Sequence, residues 1–220
     1  VEKQMNERVV EGLGRKWVWP MSDRECIKVI FDWLPDMKRA YELCRQRRTV
    51  IQAGGNMGVW PWELSKVFGR VVTAEPDPDC FAMLLQNLSG VDNIEAHNVA
   101  LLEHPGFCRI YLELANRGAQ YVQPLKLHEA MIDTVEAATI DSFGVQDCDL
   151  IYLDIEGAEL SALKGARETI LRTKPVIAIE DKNLSTRFGT SKYDAEKWLE
   201  NEFGYKVVRR PHNDVVLVCE

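Results

Sequence analysis

The side chains able to do chemistry fall in a few short motifs. These are the run Gly54-Gly55-Asn56-Met57-Gly58, the acid Glu75 followed by Pro76 and Asp77, the block Asp154-Ile155-Glu156-Gly157, and Glu180. A glycine run lets a ligand approach the backbone, because no side chain stands in the way. A helix beginning just beyond it offers unpaired N–H groups. Glu75, about one strand–helix unit later, can accept hydrogen bonds from both hydroxyls of a ribose. The pair suits an adenosine-bearing cofactor, NAD and S-adenosylmethionine alike. The spacing narrows this. A dinucleotide fingerprint needs G-x-G-x-x-G, whereas here two glycines are adjacent, Gly58 follows, and Trp60-Pro61-Trp62 comes next. No Gly-Lys-Ser/Thr is present, which excludes a P-loop. Asp154 would sit beside a cationic sulfonium and the incoming nucleophile, with Glu180 facing the same pocket. Plainer readings compete: a tight turn at the glycines, an N-cap role for Asp154, helix-dipole roles for Glu156 and Glu159, and a surface ion pair for Glu180.

These motifs need strand ends to hold them. Residues 49–53 form a short β-branched run that stops at the glycines. A helix follows from Trp60 to Phe68, with Pro61 in its first turn, where a missing N–H costs little. Residues 70–74 read as a second strand ending at Glu75. Asp77 caps the next helix, whose Phe81, Leu84, Leu85 and Leu88 share one face. Residues 93–101 read as a third strand, with further strands at 107–112 and 135–140 and little pattern between them. Residues 150–153 and 175–179 are strands ending in Asp154 and Glu180, separated by a helix over 159–171. Ser191 and Asp194 open a last helix. Residues 205–209 and 215–219 form a hairpin around Pro211-His212-Asn213-Asp214. Upstream, Ser22 and Asp23 cap a helix that runs to Leu34 and is ended by Pro35, and a second helix runs from Met37 to Arg48. Strands alternating with helices predict a parallel sheet covered on both faces, with the ligand beyond the carboxyl ends of its strands. Residues 1–48 are read as a helical extension and candidate lid, and 49–220 as one α/β domain.

Composition bounds the function. The chain has 220 residues, 46% hydrophobic and 28% charged, which excludes disordered and collagen-like classes. A net charge of -7 argues against a general polyanion binder. No apolar run approaches the ~18 residues of a membrane span, and the start at Val1 is polar, so a cytoplasmic protein is expected. The six cysteines include no C-x-x-C pair and stand at no metal-ligand spacing to the four histidines, so they read as reduced thiols.

In order along residues 49–210, the sequence resembles the FkbM family of S-adenosylmethionine-dependent methyltransferases. The carrying residues are Val50 to Gly58, Thr73 to Pro78, Asn98-Val99-Ala100-Leu101, Thr139-Ile140-Asp141-Ser142, Leu153 to Glu159, Leu163-Lys164-Gly165-Ala166, Lys174-Pro175 and Glu180. The Asp154 to Glu159 block is the most specific of them. The resemblance implies a Rossmann-like fold, a mostly parallel seven-stranded sheet with an antiparallel last strand. It implies that Gly54, Gly55, Asn56 and Gly58 wrap the methionine and ribose portion of the cofactor. Glu75 would hold the ribose hydroxyls with Pro76 and Asp77 nearby, Asn98 and Val99 would lie near the adenine, and Asp154 and Glu156 would line the methyl-transfer side. Two positions depart from the pattern. Gln52 stands where such enzymes usually place an acid, and Tyr152 where the family tends to have lysine.

The expected reaction is O-methylation of a hydroxyl on a sugar or small metabolite by S-adenosylmethionine, leaving S-adenosylhomocysteine. A hydroxyl must lose its proton as it attacks; Asp154 and Glu180 are the candidate bases, with Glu156 or His97 behind them. No metal ligand is assigned, although Asp154 and Glu180 permit a divalent ion. Two alternatives share the cofactor: an RNA-modifying enzyme using Arg45, Arg47, Arg48, Arg209 and Arg210 as a basic path, and a cofactor-binding protein without turnover.

Overall fold

The computed structural model describes residues 6–125, 133–180, 182–212 and 214–219. Asn213 of the expected turn and the polar residues 1–4 lie outside them. The chain opens with strands β1 (Glu7–Gly12) and β2 (Arg15–Pro20), then helices α1 (Cys26–Val29) and α2 (Leu34–Tyr41). Next come β3 (Thr49–Ala53), α3 (Val59–Ser65), β4 (Arg70–Ala74), α4 (Pro78–Asn87), β5 (Ile94–His97) and β6 (Ala100–Leu101). After β7 (Gly106–Tyr111), β8 (Tyr121–Pro124) and β9 (Thr134–Ala138) follow β10 (Cys148–Leu153), α5 (Glu159–Lys164), α6 (Arg167–Thr173) and β11 (Val176–Glu180). The chain closes with α7 (Asp194–Phe203), β12 (Tyr205–Arg209) and β13 (Asp214–Cys219).

Among the described residues, seven strands form the main sheet in the order β12-β13-β11-β10-β3-β4-β5. β3, β4, β5, β10 and β11 run parallel, and β13 lies antiparallel to both β11 and β12. The expected sheet with its reversed last strand is therefore present. The chain runs outward from β3 to β5 and returns to β10 on the other side of β3, so the switch point lies between β3 and β10. The strands are two-sided. Val50, Leu150, Tyr152, Ala178 and Val216 pack with Trp17, Trp19, Met37 and Trp60 on one face. Ile51, Val72, Ile151, Leu153, Ile177 and Leu217 pack beneath the helices of the other face. Such continuous apolar runs are what strands covered on both sides require.

Four readings need correction. The N-terminal extension is not all helical: β1 and β2 form a hairpin, because Trp17 and Trp19 alternate inward with period two and are fully buried. Its two-residue turn, Leu13-Gly14, has φ of 55° and 75°, the doubly positive geometry that suits hairpin twist. Pro35 lies in the first turn of α2 rather than ending a helix. The expected third strand divides: β5 joins the main sheet, while β6 joins a second sheet, ordered β6-β9-β7-β8. The expected helix over 159–171 breaks into α5 and α6 at Gly165, where a Cβ would stand 2.3 Å from the Leu102 carbonyl oxygen. No described helix is long and apolar enough to cross a membrane, and all six cysteines are free.

Candidate active site

The parallel registers place the motifs side by side. Ala53 pairs with Leu153 and Ala74, and Leu153 with Ile179. The next residue along each of the three central strands is therefore Gly54, Asp154 or Glu180. Glu180 in turn pairs with Asp214 on the reversed strand. A transverse row, Gly54–Asp154–Glu180–Asp214, thus runs along the carboxyl edge of the sheet. Its members share the face of Tyr152 and Ala178, two residues back. Gly54 is required there: its φ is 84°, and a Cβ would lie 2.1 Å from the Asp154 carbonyl oxygen.

Gln52 builds the turn without lining the cavity. Its amide donates to the carbonyls of Ala53 and Gly54, both at 3.0 Å, and accepts from the Thr73 hydroxyl at 2.5 Å. A neutral amide can donate to backbone carbonyls in this way, whereas an ionised acid can only accept. Gly54 and Asn56 line the main pocket; Gly55 packs against Leu84 and Thr73, and Gly58 caps α3 with φ of 91°.

Glu75 is buried at the end of β4. One carboxylate oxygen accepts from the Asn56 N–H and the other from the Asp77 N–H, both at 2.8 Å. Each oxygen has a second lone pair, and Glu75 lines the pocket. Burial pushes its pKa up to about 7, against the pull of those two N–H donors and Arg117. Asp77 lies behind, capping α4 through Asp79 N–H and accepting from Arg117 at 2.6 Å. Asn98 donates to the carbonyls of Glu75 and Pro76, while Pro76 and Val99 line the pocket itself. His97 is engaged elsewhere, hydrogen-bonded to Glu95 and stacked on Phe143.

The roof comes from the N-terminal segment, through Cys26, Ile30 and Trp33, and a side wall from the second sheet, through Ile110, Tyr121 and Val122. Asp23 joins roof to wall. Its carboxylate accepts from Trp19 Nε1 at 2.6 Å, from the N–H groups of Cys26 and Ile27, and from the Arg117 N–H at 3.1 Å. Asp23 thus serves the first N–H groups of α1, whose N-cap position is Glu25 rather than the expected Ser22 or Asp23, and it is also the tie to residue 117.

The pocket reaches the acidic block at its other end. Asp154, Glu156 and Lys182 all line it. Carboxylate oxygens of Asp154, Glu156 and Glu180 lie within 4.8 Å of one another. Lys182 contacts Glu180 and stands 3.4 Å from Glu156, and Arg187 stands 3.6 Å from Glu156. The Lys182 ammonium supplies positive charge to this cluster. Burial raises the pKa values of Asp154, Glu156 and Glu180, and Lys182 opposes the rise in each. At Glu180 the neighbouring Asp154 carboxyl adds to the burial effect.

Glu159, next in the block, is a support. Its carboxylate accepts from the N–H groups of Ile155 and Gly157 at 3.2 Å, and burial pushes it up to about 7. A folded-state pKa raised above the ordinary 4.5 gives a stability contribution that is complete below pH 4.5 and lost as pH rises through about 7. Glu159→Gln should therefore lose less stability between pH 5 and pH 8 than the unchanged chain, by up to about 3 kcal/mol. Urea unfolding at the two pH values measures it; identical slopes would refute this account.

Lys182, Arg117 and the aromatic residues Trp33 and Trp60 were not singled out from sequence. Four of the five basic residues considered as a nucleic-acid path, all but Arg45, are engaged locally. Arg48 pairs with Asp149, Arg209 with Glu42 and Arg210 with Glu196, and Arg47 lies over the Tyr41 ring.

Comparison with known proteins identifies the fold and the family. A crystal structure of methyltransferase FkbM from Methylobacillus flagellatus KT superposes with a TM-score of 0.58 at 24% identity, covering 80% of this chain and 44% of that one. The chain thus spans less than half the length of that protein. Trm5b from Pyrococcus abyssi gives 0.51 at 12% identity over 98% of this chain and 55% of its own. Precorrin-6y C5,15-methyltransferase from Geobacter metallireducens GS-15 gives 0.50 at 15% identity, over 86% of each chain. These likenesses establish the Rossmann-like methyltransferase fold. No curated protein matches the sequence. Residues 52–207, well over half of the sequence, match the model of the methyltransferase FkbM domain, and the chain belongs to that family of methyltransferases.

Proposed function

We propose that this methyltransferase uses S-adenosylmethionine and methylates a hydroxyl of a sugar or other small metabolite. The observation that carries the reading is the continuity of one pocket from the Glu75 carboxylate, past Gly54 and Asn56, to the Asp154 carboxyl. A ligand anchored by its ribose at Glu75 has its other end at the acidic row. The free lone pairs of Glu75 match two ribose hydroxyls, Pro76 and Val99 offer apolar surface to an adenine, and the close passage at Gly54 leaves no side chain in the path. The cofactor supplies an electrophilic methyl on a sulfonium.

The protein's share of the chemistry is alignment and proton removal. Holding the acceptor oxygen in line with the methyl accounts for ~7–11 kcal/mol of barrier in well-oriented systems. With the cofactor bound, Asp154 would take the acceptor hydroxyl's proton as that oxygen replaced sulfur on the methyl group. Asp154 has the position for this, half-buried in the row between the glycine turn and Glu180, and its raised pKa makes it a stronger base than a solvated aspartate. Glu180 and Lys182 set its charge, and Glu156 lies one step further along the block.

Titration calorimetry of the chain with S-adenosylhomocysteine, and separately with NADH, tests the cofactor. Binding of the adenosyl ligand and none of NADH is expected. NADH binding alone, or neither, would overturn the proposal.

A further inference from the structure

A second cavity, of about 250 Å³, adjoins the main pocket and shares Asp154 with it. At ~30 Å³ per water this is the room of roughly eight waters, enough for a compact molecule of about a dozen non-hydrogen atoms. Its polar lining is strongly one-signed: Asp36, Asp154, Glu180 and Asp214, against one histidine, His212. The rest is aromatic. Trp60 and Tyr152 meet edge to face at 5.2 Å, and Trp33 closes the roof with the Lys182 ammonium 4.9 Å from its ring.

The four acids are not equally compensated. Asp36 has Arg39 at 3.0 Å and His212 at 2.7 Å, and Glu180 has Lys182. Among the described residues, no cation stands within ion-pair distance of Asp154 or Asp214. Asp214 accepts a hydrogen bond from the Tyr152 hydroxyl at 2.5 Å, and burial, reinforced by Asp154 and Asp36, still pushes its pKa up to about 7. An acid held this far from comfort beside aromatic faces is the setting in which proteins bind ammonium groups, through charge and ring quadrupole together. The same lining repels phosphate and carboxylate.

We propose that this cavity is the acceptor site and that it selects a hydroxyl compound bearing a protonated amine, the ammonium lying at Asp214 among the aromatic faces and the reacting hydroxyl at Asp154. The proposal rests on the main pocket being the cofactor site. The row Gly54–Asp154–Glu180–Asp214 supplies the geometry: cofactor at one end, ammonium at the other, and the base between them. Tyr152, which departs from the family pattern, orients Asp214 and forms part of the aromatic wall.

Glucosamine, glucose and glucuronate serve as probes of nearly equal shape that differ in charge. Each is titrated into the chain with and without saturating S-adenosylhomocysteine, and tetramethylammonium is tested as a competitor. Glucosamine should bind at least about tenfold more tightly than glucose, as one charge-assisted contact implies. Glucuronate should bind least, and tetramethylammonium should displace glucosamine. Asp214→Asn should remove the preference for glucosamine, with unchanged glucose binding reporting that the cavity of the variant is intact. Equal binding of glucosamine and glucose, no competition by tetramethylammonium, or a preference that survives in Asp214→Asn overturns the proposal. The competition arm decides even if the variant does not fold. Adenosyl ligand binding without amine preference sinks this inference and spares the cofactor reading. Amine preference without adenosyl ligand binding does the reverse, leaving an ammonium cavity in a chain whose cofactor pocket was misread.

Discussion

Replacing Glu75 by glutamine weakens S-adenosylhomocysteine binding by roughly 10²–10⁴-fold. Charge-assisted hydrogen bonds contribute ~1.5–3 kcal/mol each, and a tenfold change in Kd corresponds to ~1.4 kcal/mol. Two such bonds to ribose hydroxyls are at stake. The carboxylate already serves the N–H groups of Asn56 and Asp77, one on each oxygen, and its remaining lone pairs serve the ligand. An amide has one oxygen and two donated hydrogens, so it cannot satisfy four donors, and the turn at Asn56 loses its anchor as well. The pH dependence has a definite sign. Only the ionised carboxyl accepts from four donors, and burial pushes its pKa up to about 7. Affinity for S-adenosylhomocysteine should therefore rise from pH 6 to pH 8 and level off above that. Calorimetry on both proteins across this range is the measurement; a glutamine variant within threefold (about 0.7 kcal/mol) of the unchanged chain would remove Glu75 from the cofactor site.

The second large effect is expected at Asp154. Asp154→Asn should lower kcat by ~10²–10⁴-fold, the usual contribution of a positioned acid or base, while the Kd for S-adenosylhomocysteine changes little. The separation arises because Asp154 is fixed by its backbone, whose N–H donates to the Ala53 carbonyl at 3.1 Å, and because asparagine keeps the side-chain volume. Release of S-adenosylhomocysteine in the presence of a working acceptor gives kcat, and binding is read separately. Equal losses in kcat and affinity would make Asp154 a cofactor-holding residue; an unchanged kcat would remove it from the reaction.

The parts of the fold that the sequence announced share one property: their signals are local. Val50-Ile51 and the glycines behind them, Asp77-Pro78 at a helix start, and strands ending in Asp154 and Glu180 are each readable within ten residues. The N-terminal hairpin is equally local, with alternation at Trp17 and Trp19 and a Leu13-Gly14 turn, yet Ser22 and Asp23 just beyond it favour a helical reading of residues 1–48. The helix breaks at Gly165, where a Cβ would meet the distant Leu102 carbonyl, a contact that leaves no local signal. The same holds in the site. Gln52, read as a departure from pattern, gains its meaning from Thr73 across the sheet. Asp214 looked like part of a turn, and only strand pairing brings it opposite Glu180. Lys182 and Arg117 carry no motif; they matter for the acids folding places beside them.

The contact between His212 and Asp36 joins residues 176 positions apart, and Asp214 belongs to the two strands at one margin of the sheet, β13 with β12 outside it. Proteins open in cooperative pieces well short of global unfolding, and peripheral elements are among those that part first. A form in which this hairpin has peeled away would keep Glu75, the glycine turn and the roof tied by Asp23, and so would still hold cofactor. It would lack Asp214, His212 and the cover over Tyr152. Loading with methyl donor and competence to pass it on are thereby assigned to regions of different local stability. Gentle denaturant would silence turnover before it emptied the cofactor pocket.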